Sequence, residues 1–143
     1  MLQRFIRTFS IMLIMCLASF AQAHEYDAGN FKLLHPWSQA SEAGDTEASV
    51  YFAVEDIARG DVLLRVDSSL GESVEFRSGQ GAQAKVLESI NINAGSRQEF
   101  LPGETYVVIK GLKAPLQWAR SYAMTFVFKH AGPVNVMVSV GSH

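Results

Sequence analysis

Beyond residue 30 the chain sets its apolar side chains in short runs and in strict alternation, with no 3.6-residue period bounded by helix caps. The last stretch is the clearest. Met124, Phe126 and Phe128 alternate with Thr125, Val127 and Lys129; after Ala131-Gly132-Pro133, Val134, Val136, Val138 and Val140 alternate with Asn135, Met137 and Ser139. A period of two on either side of a turn signal predicts a β-hairpin whose strands bury one face. Further strands are predicted over Phe31–His35, Ser49–Val54, Asp61–Val66, Lys85–Ile90 and Tyr106–Ile109, which are rich in β-branched or aromatic residues. Pro36 should hold His35 extended, because a proline ring disfavours the helical region for the residue before it. Turn-forming clusters separate the runs: Glu42-Ala43-Gly44-Asp45, Arg59-Gly60-Asp61, Gly79-Gln80-Gly81, Asn93-Ala94-Gly95 and Pro102-Gly103. Many short strands without intervening helices predict an all-β sandwich or barrel rather than βαβ units.

The first 23 residues follow a different rule. Arg4 and Arg7 precede the apolar run Ile11–Ala18, and Ala21-Gln22-Ala23 is a small-x-small cleavage site; together these make a secretory signal peptide. The apolar run is short for a spanning helix. Met15, not a small residue, precedes Cys16, which argues against a lipid anchor there. The expectation is a periplasmic or secreted protein without a membrane anchor, in which residues 24–143 form a single domain beginning at His24.

Cleavage leaves 120 of the 143 residues, enough to bury roughly two thirds of the unfolded surface. The one cysteine, Cys16, departs with the signal, so no disulfide, thiolate nucleophile or thiolate metal site remains. Arg4 and Arg7 depart as well. Ten basic residues then face fourteen acidic ones with no basic stripe, which disfavours a nucleic-acid partner.

Leu101–Leu116 reads LPGETYVVIKGLKAPL. It resembles the segment of the periplasmic copper chaperone family PCu(A)C that runs Pro-Gly-Gly-x-His-x-Met, an apolar pair, then Gly-Leu-Lys-x-Pro-Leu; Pro102, Gly103, Gly111, Leu112, Lys113, Pro115 and Leu116 fit that frame. His35-Pro36-Trp37, Ala48–Val54, Ser73–Phe76 and the closing pair Met124–Phe128 with Ala131–Val134 resemble other family elements in the same order, across most of residues 31 to 140. The resemblance implies a cupredoxin-like Greek-key β-barrel. It also implies a site in which two His and two Met hold Cu(I), at positions that fall here on Arg77, Val86, Tyr106 and Val108. None of these suits a cuprous ion: the guanidinium has no free lone pair, the phenol is a hard donor and the valines donate nothing. Arg77 and Tyr106 would approach one another, and stacking of the guanidinium on the ring is one way to satisfy Arg77; a small anionic or protein contact surface is another.

Other donors are few. No Met lies between Ala23 and Met124, and Met124 and Met137 sit within the alternating hairpin, where packing is the simpler reading. His24 would offer its α-amine and imidazole together as a two-nitrogen chelate for Cu(II), against the plainer reading of a disordered first residue. His35 reads as a strand-end residue, and His130 and His143 as solvated; no histidine pair has metal-site spacing, so zinc is unsupported.

No Gly-x-Ser-x-Gly elbow, phosphate loop or Cys/His pair is present, so no enzyme is predicted. The acidic pairs Glu55-Asp56 and Glu72/Glu75 read as coatings of strand ends. The leading reading is a copper-chaperone-like accessory protein without the usual Cu(I) site, acting through protein contacts in copper handling or respiratory oxidase assembly. A weak Cu(II) carrier using His24 and a metal-free ligand- or protein-binding β module are the alternatives.

Overall fold

The computed structural model describes residues 24–141, so the signal segment with Cys16, and His143, lie outside the described residues. Eleven strands and one short 3-10 turn make up the domain. They are β1 (Glu25–Asp27), β2 (Lys32–Ser38), β3 (Glu47–Ile57), β4 (Asp61–Asp67), β5 (Ser73–Ser78), β6 (Lys85–Leu87), β7 (Ile90–Ile92), β8 (Gly95–Phe100), β9 (Thr105–Lys110), β10 (Ser121–Phe128) and β11 (Gly132–Val140). The alternation of the closing hairpin translates directly into one-sided burial. Met124, Phe126 and Phe128 of β10 and Val134, Val136, Val138 and Val140 of β11 are buried, while their neighbours are exposed or half-buried.

The strands form one continuous path, β6-β5-β9-β3-β2-β11-β10-β4-β7, with β1 added to β2 and β8 added to β3. All neighbours are antiparallel except β2 and β11, which run parallel through Trp37–Ser139 and Ser38–Val140. β3 is long enough to serve two partners along one edge: Glu47–Val50 pairs with β9 and Phe52–Ile57 with β8. The sheet curls into a nearly closed barrel. Its two ends, β6 and β7, are joined by Glu88 and Ser89 alone, a link whose chain geometry keeps them within about 10 Å of each other. Inside, Phe52 stacks on Phe100 at 4.4 Å and meets Phe126 edge-on at 5.2 Å, while Phe31 meets Phe128 at 4.9 Å. Each such buried ring stabilises the fold by about 1.5–3 kcal/mol.

Three features depart from the sequence pattern. Lys85–Ile90 is not one strand: β6 pairs with β5 and β7 with β4, at opposite ends of the path. β8 carries no alternation, because Phe100 is its one buried residue; its ladder is supported instead by Arg97, which reaches Glu99 at 2.9 Å and Glu55 at 3.4 Å. His35 is not extended. Its φ is 45°, and the β2–β3 register advances three residues from Leu34 to Trp37 while β3 advances two from Ala53 to Tyr51. That one-residue bulge reverses which face the following side chains occupy.

A buried carboxylate, which sequence reading did not find, secures the hairpin turn. Asp61 is 7% exposed. Its Oδ1 accepts from the amides of Val62 (2.7 Å) and His130 (2.9 Å), and its Oδ2 from that of Ala131 (2.9 Å). Burial pushes its carboxyl upward, but these three backbone donors outweigh that and hold it below the usual range.

Candidate metal centre

The positions that match the family's ligands come together on the outer face of the β6-β5-β9-β3 sheet. Val86 pairs with Arg77, and Arg77 with Tyr106, in a single cross-strand row. Val108 occupies the next outward position of β9, opposite Glu75 and Ser49. The alternate residues, Val74, Phe76, Val107, Ile109 and Val50, face the main core. β9 is therefore covered on both sides, which accounts for its unbroken apolar run.

What fills this face is an ion-pair network beside an aromatic cluster. Arg77 grips Glu47 with two parallel bonds, Nη1 to Oε2 at 2.7 Å and Nη2 to Oε1 at 2.8 Å, and donates Nε to Glu75 Oε1 at 2.7 Å. Lys110 approaches Glu75 at 3.7 Å. The bonds from Arg77 hold the Glu47 carboxyl below its ordinary range against the opposing effect of burial, and the Arg77 guanidinium is correspondingly harder to deprotonate. Carboxylates, then, satisfy Arg77, where stacking on Tyr106 was one expectation. Glu75 is not a strand-end coating either: it stands mid-strand in this network.

Tyr106 donates its hydroxyl to the Gly79 carbonyl at 2.8 Å, and its ring centroid lies 5.9 Å from that of Tyr51. Tyr51, Tyr106 and Val108 form a second small buried cluster, with Trp37 packed against it and 4.8 Å from Tyr51. The bulge at His35 makes this possible, because without the extra residue Trp37 would turn to the other face of the sheet. Among the described residues, no group of three or more His, Cys, Asp or Glu side chains is placed to hold a metal ion.

The histidines follow the sequence expectation only in part. His130 is exposed in the hairpin turn. Met124 is buried, whereas the Met137 side chain faces outward at 38% exposure. His24 is ordered. It extends the β1–β2 register, in which Glu25 faces Leu34, by one step, and its carbonyl accepts the His35 amide at 2.9 Å. Their backbones thus face one another, both residues being exposed, but their rings part: His24 lies beside Tyr26, on the face of Leu33, while His35 lines the outer face with Trp37. A concavity of about 370 Å³ opens beside His35, lined also by Trp37, Arg97 and Glu99. The spacing of His24 and His35 along the chain gives no hint of this pairing, which depends on the turn after β1.

Known proteins share this architecture. Residues 31–140 match the family model "Putative lipoprotein LpqE-like". The copper-bound PCuAC domain from PmoF2 is 30% identical, with a TM-score of 0.72 over 84% of this chain and 99% of that one. The apo PCuAC domain from PmoF1 is 27% identical, with a TM-score of 0.73 over 84% of this chain and 100% of that one. Cu(I)-bound DR1885 from Deinococcus radiodurans, at 18% identity and a TM-score of 0.64 over 85% and 82% of the two chains, shares the fold. No curated protein sequence matches. Family model and fold agree: the chain belongs to the LpqE-like, PCuAC family of copper-chaperone-type proteins and has the cupredoxin-like fold of its relatives.

Proposed function

We propose that the mature protein is an exported, non-enzymatic copper carrier that has given up the family's Cu(I) site and holds Cu(II) at its N-terminus. The observation that carries this reading is that His24 is held against the sheet by the His35 amide and the Tyr26 ring. A chain beginning at His24 offers an α-amine and an imidazole on one residue. Two nitrogen donors in one chelate suit Cu(II) and lack the soft thioethers that favour Cu(I). The 30% identity to a copper-bound PCuAC domain supports a copper cargo. The Arg77 face does not fit the ion: its cation is locked between carboxylates, its phenol is committed to Gly79, and the two valines have no donor. Partners would be copper-handling or oxidase-assembly proteins outside the cytoplasm.

The test is a titration of protein beginning at His24 with Cu(II) and with Cu(I), each against a chelator of known affinity. Cu(II) binding that is lost when one alanine precedes His24, with weak Cu(I) binding, is expected. Tight Cu(I) binding indifferent to that alanine would overturn the reading. So would an intact mass showing that the exported protein starts at a lipidated Cys16, since the α-amine of His24 would then be an amide.

A further inference from the structure

We infer that Tyr26 is the positioning residue of the N-terminal site, an inference that rests on the copper reading just given. β1 is a slight element. It has three ladder pairs to β2, its other two residues are exposed, and Tyr26 is its one side chain packed against the main core. Three residues of strand do not hold a terminus in place by backbone bonds alone.

Tyr26 supplies what the ladder lacks. Its hydroxyl accepts the Met137 amide at 2.8 Å and donates to the Met137 carbonyl at 3.5 Å. β11 meets β2 only at Ser139 and Val140, so at Met137 its outer edge has no strand partner, and the phenol takes the place of one. The same ring lies parallel to the His24 imidazole, with centroids 6.4 Å apart and an interplanar angle of 16°. One side chain therefore does two things. Its oxygen fixes β1 to β11, and its ring limits where the His24 imidazole can swing. Both act on the donor set without touching the metal, as the outer partners of metal ligands do.

The two parts separate by substitution in protein that begins at His24. Tyr26→Phe keeps the ring and removes the hydroxyl; Tyr26→Ala removes both. Three measurements are made on each: amide hydrogen exchange of Glu25–Asp27 without metal, Cu(II) affinity by chelator competition, and the Cu(II) electron paramagnetic resonance spectrum. Tyr26→Phe should speed exchange in β1 and weaken Cu(II) by about 10-fold, with nitrogen splittings retained, and Tyr26→Ala by about 100-fold, with the splittings changed. Exchange that quickens while affinity and spectrum stay at wild-type values would make Tyr26 a mere edge cap and overturn the inference, as would wild-type behaviour in all three measurements. The alanine placed before His24 reports on the site independently. If it leaves wild-type Cu(II) binding intact, the copper reading falls and the positioning role falls with it; if it abolishes binding while Tyr26→Phe does not weaken it, only the role of Tyr26 is lost.

Discussion

Arg77 and Tyr106 are Cα partners in the β5–β9 ladder, yet each sends its polar end elsewhere: the guanidinium to Glu47 and Glu75, the phenol to the Gly79 carbonyl. The row that would carry ligands in the family has become a clamp joining β3, β5 and β9 through side chains. The two polar groups of that row, the guanidinium and the phenol, are already partnered outside it.

Arg77→Met should cost about 1–3 kcal/mol, because it leaves the carboxylates of Glu47 and Glu75 without their donor. Screening at Glu47, whose side chain is 41% exposed, places the loss toward the lower end. The sign with pH follows from the direction of the Glu47 shift. A carboxyl held below its ordinary range contributes stability above its unfolded value, about 4.3, and that contribution fades as pH falls through the lower folded value. Urea unfolding of wild type and variant at neutral pH and near pH 3 should show a gap that narrows in acid.

Arg77→His, Val86→Met, Tyr106→His and Val108→Met made together should create Cu(I) binding, since all four positions share one sheet face. Val108 is only 1% exposed, so the larger Met there should cost about 1–3 kcal/mol by overpacking. Competition with a Cu(I) chelator, on protein shown to be folded, checks the outcome. A folded quadruple variant blind to Cu(I) would mean that the positions have been matched wrongly.

Much of this architecture was legible because burial is one-sided. β10 and β11 alternate in sequence since one face of each meets the core and the other meets water. β8 buries Phe100 alone, so it had no pattern to show, and it was missed. The Lys85–Ile90 run looked like one strand because no glycine or proline marks the point where the chain leaves β5 for β4. At the site, Arg77, Val86, Tyr106 and Val108, which the resemblance singled out, do share one face. The pairing of His24 with His35 could not be read, because it depends on a three-residue strand and a bulge that proline was expected to prevent.

Asp61→Asn should destabilise the fold by about 1–3 kcal/mol at neutral pH, because an amide has one acceptor oxygen where the carboxylate has two. The amides of His130 and Ala131 are bonded to different oxygens, so one of them must face an NH₂ group. Asp61 is held below its usual range, so its contribution is present above about pH 3.9, its unfolded value, and lost as pH falls through the folded value. Thermal unfolding across pH 2–7 should show wild type and variant converging in acid.

His35→Gly should leave stability within about 1 kcal/mol of wild type, since glycine readily takes the positive φ that histidine holds here. It should also leave Cu(II) affinity unchanged, because the His35 ring lies on the other face of the sheet from His24. Calorimetric unfolding and chelator competition on the same sample check both outcomes. A weakened Cu(II) affinity would bring His35 into the site.

The brevity of the Glu88-Ser89 tie has a mechanical corollary. The two ends of the path do not pair to complete the cylinder, yet so short a tether, with Gln98 bonded to the Asn91 carbonyl of β7, stops them from swinging apart to recruit a foreign strand. Slack introduced there, by inserting a flexible loop, would let the seam gape and turn a guarded edge into a template for self-association.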